Sequence, residues 1–416
     1  MNQLRSETIT TRCALAGGGP AGVMLGFLLA RAGVDVLVLE KHADFLRDFR
    51  GDTIHPSTLE VMYELGLLEE FLKRPHQQAD ELRGLIGDDL IVLADLKHLP
   101  THCKFIALMP QWDFLDFLAD HAKRYAGFAL RMRADVGELL FDGNKVVGLR
   151  AKTPDGDLEV RADLVVGADG RHSTVRERAG LEVKDIGAPM DVLWMRLSRR
   201  PGDGGQLMGR ILPGRLFVMI DRGDYWQCAY VIPKGGFDEV RRKGLDAFRR
   251  SLVEINPALG DRVQELASWD DIKLLTVVID RLKRWFRDGL LCIGDAAHAM
   301  SPVGGIGINV AIQDAVAAGN ILGPALRKGP VPESLLAEVQ KRREWPTRMT
   351  QSLQVVVQNL VIRNVLQMQK NPRAPFIVKL FNSFPALRHI PGRIIGMGFR
   401  PEHVRTPEGP AKSVPR

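Results

Sequence analysis

Cysteine is scarce in this chain of 416 residues. The four cysteines, Cys13, Cys103, Cys228 and Cys292, are widely scattered and form no Cys-x-x-Cys pair. This spacing argues against a zinc finger or a disulfide framework as the source of stability, and we predict no metal site. It favours a reducing compartment, so we expect a cytoplasmic protein.

The sequence also lacks a clear membrane span or export signal. An uncharged stretch of 18 residues runs from Cys13 to Ala30, but glycines and Pro20 interrupt it. It is better explained as a buried strand, a glycine turn and a core helix beside a sheet that is covered on both faces. The first twelve residues are polar and lead into no cleavable signal. We therefore expect neither a span nor export.

Acidic residues are scarce near the end of the chain. The whole chain carries a net charge of +7, but Lys341 to Arg416 contains 14 basic and 3 acidic residues, an excess of +11 that leaves the rest at −4. We expect a solvated helical face and a tail, with weak contact to an anionic membrane surface as the alternative. Aromatic residues do not alternate with these basic residues, so nucleic acid is not an expected partner.

The length exceeds what one hydrophobic core usually supports, so we expect two intertwined domains. Periodicity predicts a strand over Arg12 to Ala16, a helix over Pro20 to Arg31 and a strand over Asp35 to Leu39, which together form a βαβ unit. Alternating runs at 136–141, 145–151 and 158–163 predict an antiparallel meander, and the apolar run 164–168 predicts a further parallel strand. Helices are predicted near 240–256, over 305–326 and over 355–368. The predicted division is a discontinuous α/β domain over 1–75, 101–185 and 285–330, a mainly antiparallel β-sheet domain over 76–100 and 186–284, a helical region over 331–400 and a disordered tail over 401–416.

A glycine-rich loop follows the first predicted strand. Gly17, Gly19 and Gly22 have the spacing Gly-x-Gly-x-x-Gly, and Glu40 lies eighteen residues after the last of them. The first glycine allows a tight turn, the second lets the backbone approach a diphosphate, and the third lets helix and strand pack closely. The acidic residue can accept hydrogen bonds from ribose hydroxyls. This loop predicts a dinucleotide site.

Two further loops follow predicted strands downstream. Asp169 and Gly170 end an apolar run, although Ser173 nearby is also typical of a simple helix cap. The loop from Gly294 to Asn309 contains Asp295, which can bind sugar hydroxyls, and several glycines that expose backbone N–H groups before a helix. A helix start there would stabilise negative charge on a reduced ring. The loops together predict one long ligand with a diphosphate at one end and a ring at the other, as in a flavin dinucleotide.

The three motifs, in this order and spacing, resemble those of the FAD-dependent aromatic hydroxylases of the para-hydroxybenzoate hydroxylase type. The resemblance covers roughly residues 1–330. It implies an α/β fold with a discontinuous Rossmann-like FAD-binding domain of the glutathione-reductase type, an inserted antiparallel substrate domain and C-terminal helices. It also implies that NADH or NADPH reduces FAD, that O₂ forms a flavin C4a-hydroperoxide, and that a small hydrophobic aromatic, phenolic or polycyclic, quinone-like substrate is hydroxylated.

The resemblance assigns cofactor contacts residue by residue. Arg50 would approach the flavin, and Gln111 would contact the diphosphate and the ribityl chain. Pro302 and His55 are candidates for the substrate pocket, although His55 before Pro56 is more typical of a helix start. The predicted cofactor-binding residues are Gly17, Gly19, Pro20, Ala21, Gly22, Glu40, Lys41, Arg50, Gln111, Asp169, Gly170, Asp295, Pro302, Gly305, Gly307, Ile308 and Asn309.

Other functions stay open at this point. An FAD-dependent reductase or dehydrogenase of the isoprenoid-reductase type shares the first and third motifs, and a flavin-containing binding protein would hold a hydrophobic ligand without turnover. The chain would be a monomer or a homodimer. Candidate walls of the substrate pocket, for which core packing is an equally good explanation, are Trp194, Met208, Phe217, Met219, Trp226 and Tyr230.

Overall fold

The structure, a computed structural model, describes residues 7–46, 53–203, 209–368 and 384–409. The strands are β1 (Glu7–Ala16), β2 (Val36–Glu40), β3 (Thr53–Ile54), β4 (Gln77–Ala79), β5 (Glu81–Ile86), β6 (Asp89–Asp95), β7 (Ile106–Leu108), β8 (Phe128–Met132), β9 (Asp135–Asp142), β10 (Lys145–Thr153), β11 (Gly156–Gly167), β12 (Val183–Asp185), β13 (Met190–Ser198), β14 (Gly209–Leu212), β15 (Arg215–Asp221), β16 (Tyr225–Pro233), β17 (Lys273–Leu275), β18 (Asp280–Leu282), β19 (Phe286–Arg287) and β20 (Leu290–Cys292). The α-helices are α1 (Pro20–Arg31), α2 (Pro56–Glu64), α3 (Leu68–Phe71), α4 (Gln111–Ala122), α5 (Thr174–Arg178), α6 (Phe237–Arg242), α7 (Leu245–Ile255), α8 (Gly307–Leu326), α9 (Glu333–Val357), α10 (Arg363–Gln367) and α11 (His389–Met397).

The fold is mixed α/β and contains a parallel sheet. Strands β20, β11, β1, β2 and β8 lie side by side in that order, and all four pairs are parallel. Ala16 lies opposite both Leu39 and Gly167, and Gly167 lies opposite Cys292. The carboxyl ends of four strands therefore meet at one edge, where ligands of open α/β sheets bind.

The antiparallel strands predicted between 136 and 163 are confirmed, but the third continues further than expected. β11 pairs antiparallel with β10 through its first half and parallel with β1 along its whole length. The predicted buried strand from Leu164 is thus the end of the same β11. The chain contains no glycine or proline between Val160 and Val166 that would separate the two runs.

A seven-stranded sheet has the order β17, β13, β16, β15, β14, β5 and β6. Successive side chains along its strands point alternately into two apolar layers. One layer, which includes Trp194 and Ala229, also contacts Val303 and Met397. The other packs on α7, and it contains four of the proposed pocket walls, Phe217, Met219, Trp226 and Tyr230.

Those four residues face away from the layer that contacts Val303 and belong to the layer on α7, so core packing, the alternative explanation, describes them. The pairing register of β13, β15 and β16 puts them on the opposite face from Trp194, and the sequence showed neither this register nor which face α7 covers. Met208 lies outside the described residues.

Helix α8 lies in the core between α1 and α9. Among the described residues, the stretch Val303–Leu326 is long and apolar enough to cross a membrane, but 72% of its apolar window is buried inside the protein. It also carries Asp314, whose side chain is fully buried in ion pairs. These contacts are those of a core helix.

Three helix predictions need adjustment. The helix expected near 240–256 is two helices, α6 and α7, because Gly244 adopts a φ of +87° between them. The helix expected over 355–368 is the end of α9, which continues through a π-helical turn at Gln358–Ile362 into α10. The helix expected from Gly305 begins at Gly307.

The prediction of a disordered tail over 401–416 is wrong for 401–409, and 410–416 lie outside the described residues. Glu402 is 2% exposed and accepts two hydrogen bonds from Arg342, at 2.7 and 3.0 Å. Arg31 of α1 donates to the carbonyl of Thr406 at 2.7 Å. The proline-rich polar composition suggested disorder. The arginines that hold this segment, Arg31 and Arg342, are distant in sequence, so composition did not reveal these contacts.

Candidate functional site

The glycine loop between β1 and α1 is shaped by two close backbone contacts. Gly17 has a φ of +103°, and a Cβ there would lie 2.4 Å from the carbonyl oxygen of Ala168. A Cβ on Gly22 would lie 1.9 Å from the carbonyl oxygen of Gly17. Neither position can hold a side chain without a backbone shift, so these glycines bring α1, β1 and the end of β11 together.

Gly19 differs from both of its neighbours in the motif. A Cβ on Gly19 would meet no atom within 4 Å, so the fold itself does not require glycine there. Gly19 directly precedes Pro20 and Ala21 in the first turn of α1, where backbone N–H groups lack helical partners and attract anions. The open space beside Gly19 is therefore a place that a diphosphate could fill.

Glu40 ends β2 beside this loop and is buried, with 7% exposed. Its Oε2 accepts a hydrogen bond from the N–H of Gly18 at 2.9 Å, and its Oε1 accepts one from the N–H of His42 at 3.0 Å. These bonds fix the carboxylate at the sheet edge. Lys41 is exposed next to it.

Asp169 and Gly170 follow β11 at the same edge. The carboxylate of Asp169 accepts hydrogen bonds from the Ser173 hydroxyl at 2.5 Å and from the N–H of Val175 at 3.1 Å. Burial raises its pKa, although these hydrogen bonds oppose the rise. Ser173 also caps α5 by accepting from the N–H of Arg176 at 3.0 Å. The side chains of this motif therefore make the contacts of a capped turn, which is the simpler of its two interpretations.

The third loop lies directly against the first. Gly294 has a φ of +59°, and a Cβ there would lie 3.2 Å from the side chain of Ala21 and 3.3 Å from that of Ala311. Asp295 faces Arg171 of the second motif at 3.8 Å. All three predicted motifs therefore converge at one edge of the parallel sheet.

Most of the residues predicted to contact the cofactor are partly exposed at this edge. Gln111 begins α4, three residues after Leu108, which pairs with Thr53 beside the third loop. Ala21, Gly22, Glu40, Ile308 and Asn309 are buried, and Arg50 lies outside the described residues. The partly exposed residues are Gly17, Gly19, Pro20, Gln111, Asp169, Gly170, Asp295, Pro302, Gly305 and Gly307.

Comparison with known proteins identifies the family of this chain. The FAD binding domain family matches residues 10–352. This chain belongs to that family. It is 32% identical over 387 residues to the 6-methylpretetramide 4-monooxygenase of Streptomyces rimosus, an alignment that covers 92% of each chain. It is also 32% identical to the rifampicin monooxygenase of Streptomyces venezuelae, over 77% of this chain and 66% of that one.

A solved structure of a probable FAD-dependent monooxygenase from Pseudomonas aeruginosa superposes with a TM-score of 0.72 at 23% identity, over 86% of this chain and 98% of that chain. The predicted resemblance is confirmed. The chain is an FAD-dependent monooxygenase, and members of this family use NADH or NADPH as reductant.

Behind the cofactor edge of this FAD-binding protein, a buried ionic cluster holds the third loop. Asp314 of α8 is fully buried and accepts hydrogen bonds from His298 at 2.6 Å, from the N–H of Gly294 at 3.0 Å and from Arg343 of α9 at 3.0 Å. Burial alone would raise the pKa of Asp314, but His298 and Arg343 lower it. His298 therefore pairs with Asp314 and not with Asp295.

Three glutamines on one face of α9 and the turn after it hold the next part of the loop. Gln351 donates to the carbonyls of Asp280 and Ala299 at 2.8 and 3.0 Å. Gln354 donates to the carbonyls of Ser301 and Val303, both at 3.0 Å, and accepts from the N–H of Ser301 at 3.2 Å. Gln358 donates to the Ser301 hydroxyl. The sequence analysis missed these residues, although their spacing of three and four along a helix was a visible signal.

Asn309 connects the third loop to the segment before α2. Its Oδ1 accepts from the N–H of His55 at 2.9 Å and from the Thr58 hydroxyl at 2.8 Å. Its Nδ2 donates to the carbonyls of Thr53 and Gly305 at 3.1 and 3.3 Å. Both polar atoms of the Asn309 side chain form hydrogen bonds with protein groups, so this side chain stabilises the shape of the loop.

His55 is fully buried beside Asn309. Its Nδ1 lies 2.7 Å from the carbonyl oxygen of Ile395, which can only accept, so Nδ1 carries the proton. Its Nε2 has no hydrogen-bond partner in the structure. Burial lowers the pKa of His55 to about 4, and the bond to Ile395 opposes the change. The imidazole is therefore neutral near pH 7 and presents an unpaired acceptor nitrogen.

Among the described residues, one group of side chains is close enough to share a metal ion. It consists of Asp95, His98 and His389, whose ligand atoms lie within 4.8 Å of one another. His98 has a side chain that is 59% exposed. The group lies on β6, on the loop after it and at the start of α11, outside the three motifs.

Proposed function

We propose that this monooxygenase hydroxylates a polycyclic phenolic or quinone-like aromatic compound. The observation that carries the proposal is the convergence of the three motif loops at one sheet edge, below a second sheet with an apolar face. That face contains Trp194 and Ala229 and contacts Val303, which follows Pro302 in the third loop. An apolar cover of this kind excludes water from a reacting ring.

We propose that the cofactor edge belongs to a discontinuous Rossmann-like domain of the glutathione-reductase type, formed by 1–75, 101–185 and 285–330. The substrate domain would comprise 76–100 and 186–284, with helices over 331–400. In support, β5 and β6 join β14 in the same sheet although they are distant in sequence. Four free, buried cysteines support our proposal of a cytoplasmic location.

The residues along the edge fit the two ends of FAD. We propose that Gly17, Gly19, Pro20, Ala21 and Gly22 hold the diphosphate by backbone, with Glu40 and Lys41 at the ribose. Gln111 and Asp295 would contact the diphosphate and ribityl chain, with Asp169 and Gly170 beside them. The residues proposed near the ring are Arg50, Pro302, Gly305, Gly307, Ile308 and Asn309.

Bound FAD would supply the redox chemistry, namely hydride acceptance from NADH or NADPH and activation of O₂. The protein positions the ring and keeps its surroundings dry. The start of α8 at Gly307 has free backbone N–H groups that would stabilise negative charge on a ring bound beside it. The neutral His55 beside this loop can accept a hydrogen bond without placing a positive charge there.

Two buried donors support a substrate that carries oxygen acceptors. Trp194 is 9% exposed and Gln227 is 1% exposed, and Trp194 Nε1 and Gln227 Nε2 have no hydrogen-bond partner. Trp194 lies opposite Ala229, and Gln227 precedes Ala229 by two residues on β16, so both project from the face that contacts Val303. Buried donors without partners are costly, and a phenolic or carbonyl oxygen would satisfy them.

Turnover of the purified holoenzyme tests the proposed reaction. We expect a yellow protein whose NADH or NADPH oxidation accelerates with polycyclic phenols and whose product contains ¹⁸O from ¹⁸O₂. Oxidation without ¹⁸O in the product would indicate a reductase. Tight ligand binding with no acceleration would indicate a binding protein.

A matched pair of tryptophan variants tests the substrate contact. Trp194→Phe removes only the unpaired N–H, so we expect KM for the substrate to rise about tenfold while thermal stability is kept. Trp226 lies on the opposite face and donates to Asp203 at 3.0 Å, so Trp226→Phe should lower stability and leave KM unchanged. Equal KM values in wild type and Trp194→Phe would contradict the contact.

A further inference from the structure

The second half of helix α9, after the buried Leu336 and Val339, has the reverse of the usual distribution of polar and apolar residues. Its inward face is polar and carries Thr347, Thr350, Gln351 and Gln354, all buried. Its outward face is apolar from α9 into the π-helical turn. We call this face the outer stripe; its residues and exposed fractions are Trp345 (53%), Met349 (38%), Leu353 (36%), Val356 (50%) and Leu360 (66%).

The outer stripe is continuous along the helix. Successive members are separated by four, four, three and four residues, so they lie in one line on one side. From Trp345 to Leu360 this line extends for about 22 Å at the usual helical rise. Single exposed apolar residues are ordinary, but a line of five large ones indicates a surface that is covered by a partner.

The outer stripe is poor in acidic neighbours along the chain: Glu344, 4.0 Å from Arg348, directly precedes it, and no acidic residue follows before Glu402. Between Trp345 and Pro401 there are eight Lys and Arg residues and no Asp or Glu. Arg348 and Arg363 are exposed next to the stripe, and Arg393 is exposed on α11 together with Ile390, which is 59% exposed. A second copy docking through the same face would bring like charges together, whereas an anionic partner would neutralise them.

We propose that the outer stripe lies on the surface of an anionic membrane, with its apolar side chains in the boundary between headgroups and acyl chains. An exposed tryptophan, large aliphatic residues and flanking arginines are the features by which helices bind such a boundary in the plane of the membrane. The inner face of the same helix holds Ser301 and Val303, so a lipid-dissolved aromatic substrate would reach the site within one helix diameter. The membrane contact does not depend on the proposed substrate.

Vesicle flotation of the full-length holoenzyme tests the contact. We expect flotation with phosphatidylcholine vesicles that contain phosphatidylglycerol, little flotation with phosphatidylcholine alone, and partial release by salt. The double variant Leu353→Glu, Leu360→Glu should lower the partition coefficient about tenfold or more. Val183→Glu places the same change on an exposed apolar residue of β12, 40% exposed, and should float like wild type.

Tryptophan fluorescence adds a local measurement. The emission difference between wild type and Trp345→Phe should shift to shorter wavelength when anionic vesicles are added. Absence of flotation by wild type, or an equal loss in Val183→Glu, would overturn the proposal. A dimer in light scattering that the double variant abolishes, without flotation, would assign the stripe to a second copy instead. Turnover without lipid reports on the proposed function independently.

Discussion

The loop from Gly294 to Asn309 has two sides that are built in different ways. The front, which faces the sheet edge where we propose that FAD binds, is made of backbone and glycines, and Gly294 lies against Ala21 of the first motif. The rear is held by side chains from α8 and α9, among them Asp314, Arg343 and Gln354. The front determines what can bind, and the rear determines whether the front keeps its shape.

The largest expected effect comes from the charged part of the rear. Asp314→Asn removes the charge that Arg343 and His298 share in a fully buried cluster, so we expect unfolding free energy to fall by about 3–5 kcal/mol, with loss of retained FAD. Urea denaturation and flavin absorbance after gel filtration measure both. Arg150→Gln breaks ion pairs to Glu138 and Glu159 that solvent screens, so it should leave stability almost unchanged. Similar losses in the two variants would contradict a special role for the cluster.

Substitutions at two glycines of the first motif, on the front, distinguish an effect on stability from an effect on ligand binding. Gly22→Ala would place a Cβ 1.9 Å from the Gly17 oxygen, so we expect a loss of about 3 kcal/mol in stability. Gly19→Ala meets no protein atom within 4 Å, so the apoprotein should keep its melting temperature while FAD affinity falls about tenfold. Thermal unfolding of the apoproteins and FAD titration give the two readouts. Normal FAD affinity in Gly19→Ala would contradict the proposal that the diphosphate binds beside Gly19.

The uncharged part of the rear should give a smaller effect. Gln354→Leu leaves the N–H of Ser301 and two carbonyls without their partner, so we expect a loss of about 2 kcal/mol and faster release of FAD. Ser352 is exposed on the same helix, and Ser352→Leu, which also introduces a leucine, should change neither quantity appreciably. Chemical denaturation measures the stability, and the stopped-flow change in flavin fluorescence measures the rate of FAD release. If both leucine variants behave alike, α9 does not hold the loop.

The smallest effect at neutral pH is expected for His55. In the unfolded chain it titrates near 6.5, whereas burial lowers its pKa in the folded protein to about 4. Between these values the unfolded state binds a proton that the native state does not, so stability is retained above pH 6.5 and falls as pH drops, by up to about 1.4 kcal/mol per unit. His55→Asn keeps a donor for Ile395 and cannot titrate. Its stability should depend less on pH between 4 and 6.5, and an unchanged slope would contradict the assignment.

The front of the site was predictable because its chemistry is local in sequence. Gly17 and Gly22 need glycine for contacts that the motif spacing already encodes, and α1 was predicted at its observed bounds. The rear was not predictable, because Asp314 and Gln354 look like ordinary helix residues until α8 and α9 pack together. The face of the second sheet was undetermined for the same reason: the register that puts Trp194 and Trp226 on opposite faces, and the face that meets Val303, depend on contacts between distant segments.

The extended segment 401–409 has a consequence for the order in which the protein forms during synthesis. Arg31, near the start of the chain, is 9% exposed and is held by the carbonyl of Thr406 and the carboxylate of Glu408. Arg343 depends in part on Glu402, at 3.5 Å. During synthesis Arg31 is therefore made 375 residues before the carbonyl that holds it, so its contacts are completed late, whereas Arg343 already has Asp314 as a partner at 3.0 Å.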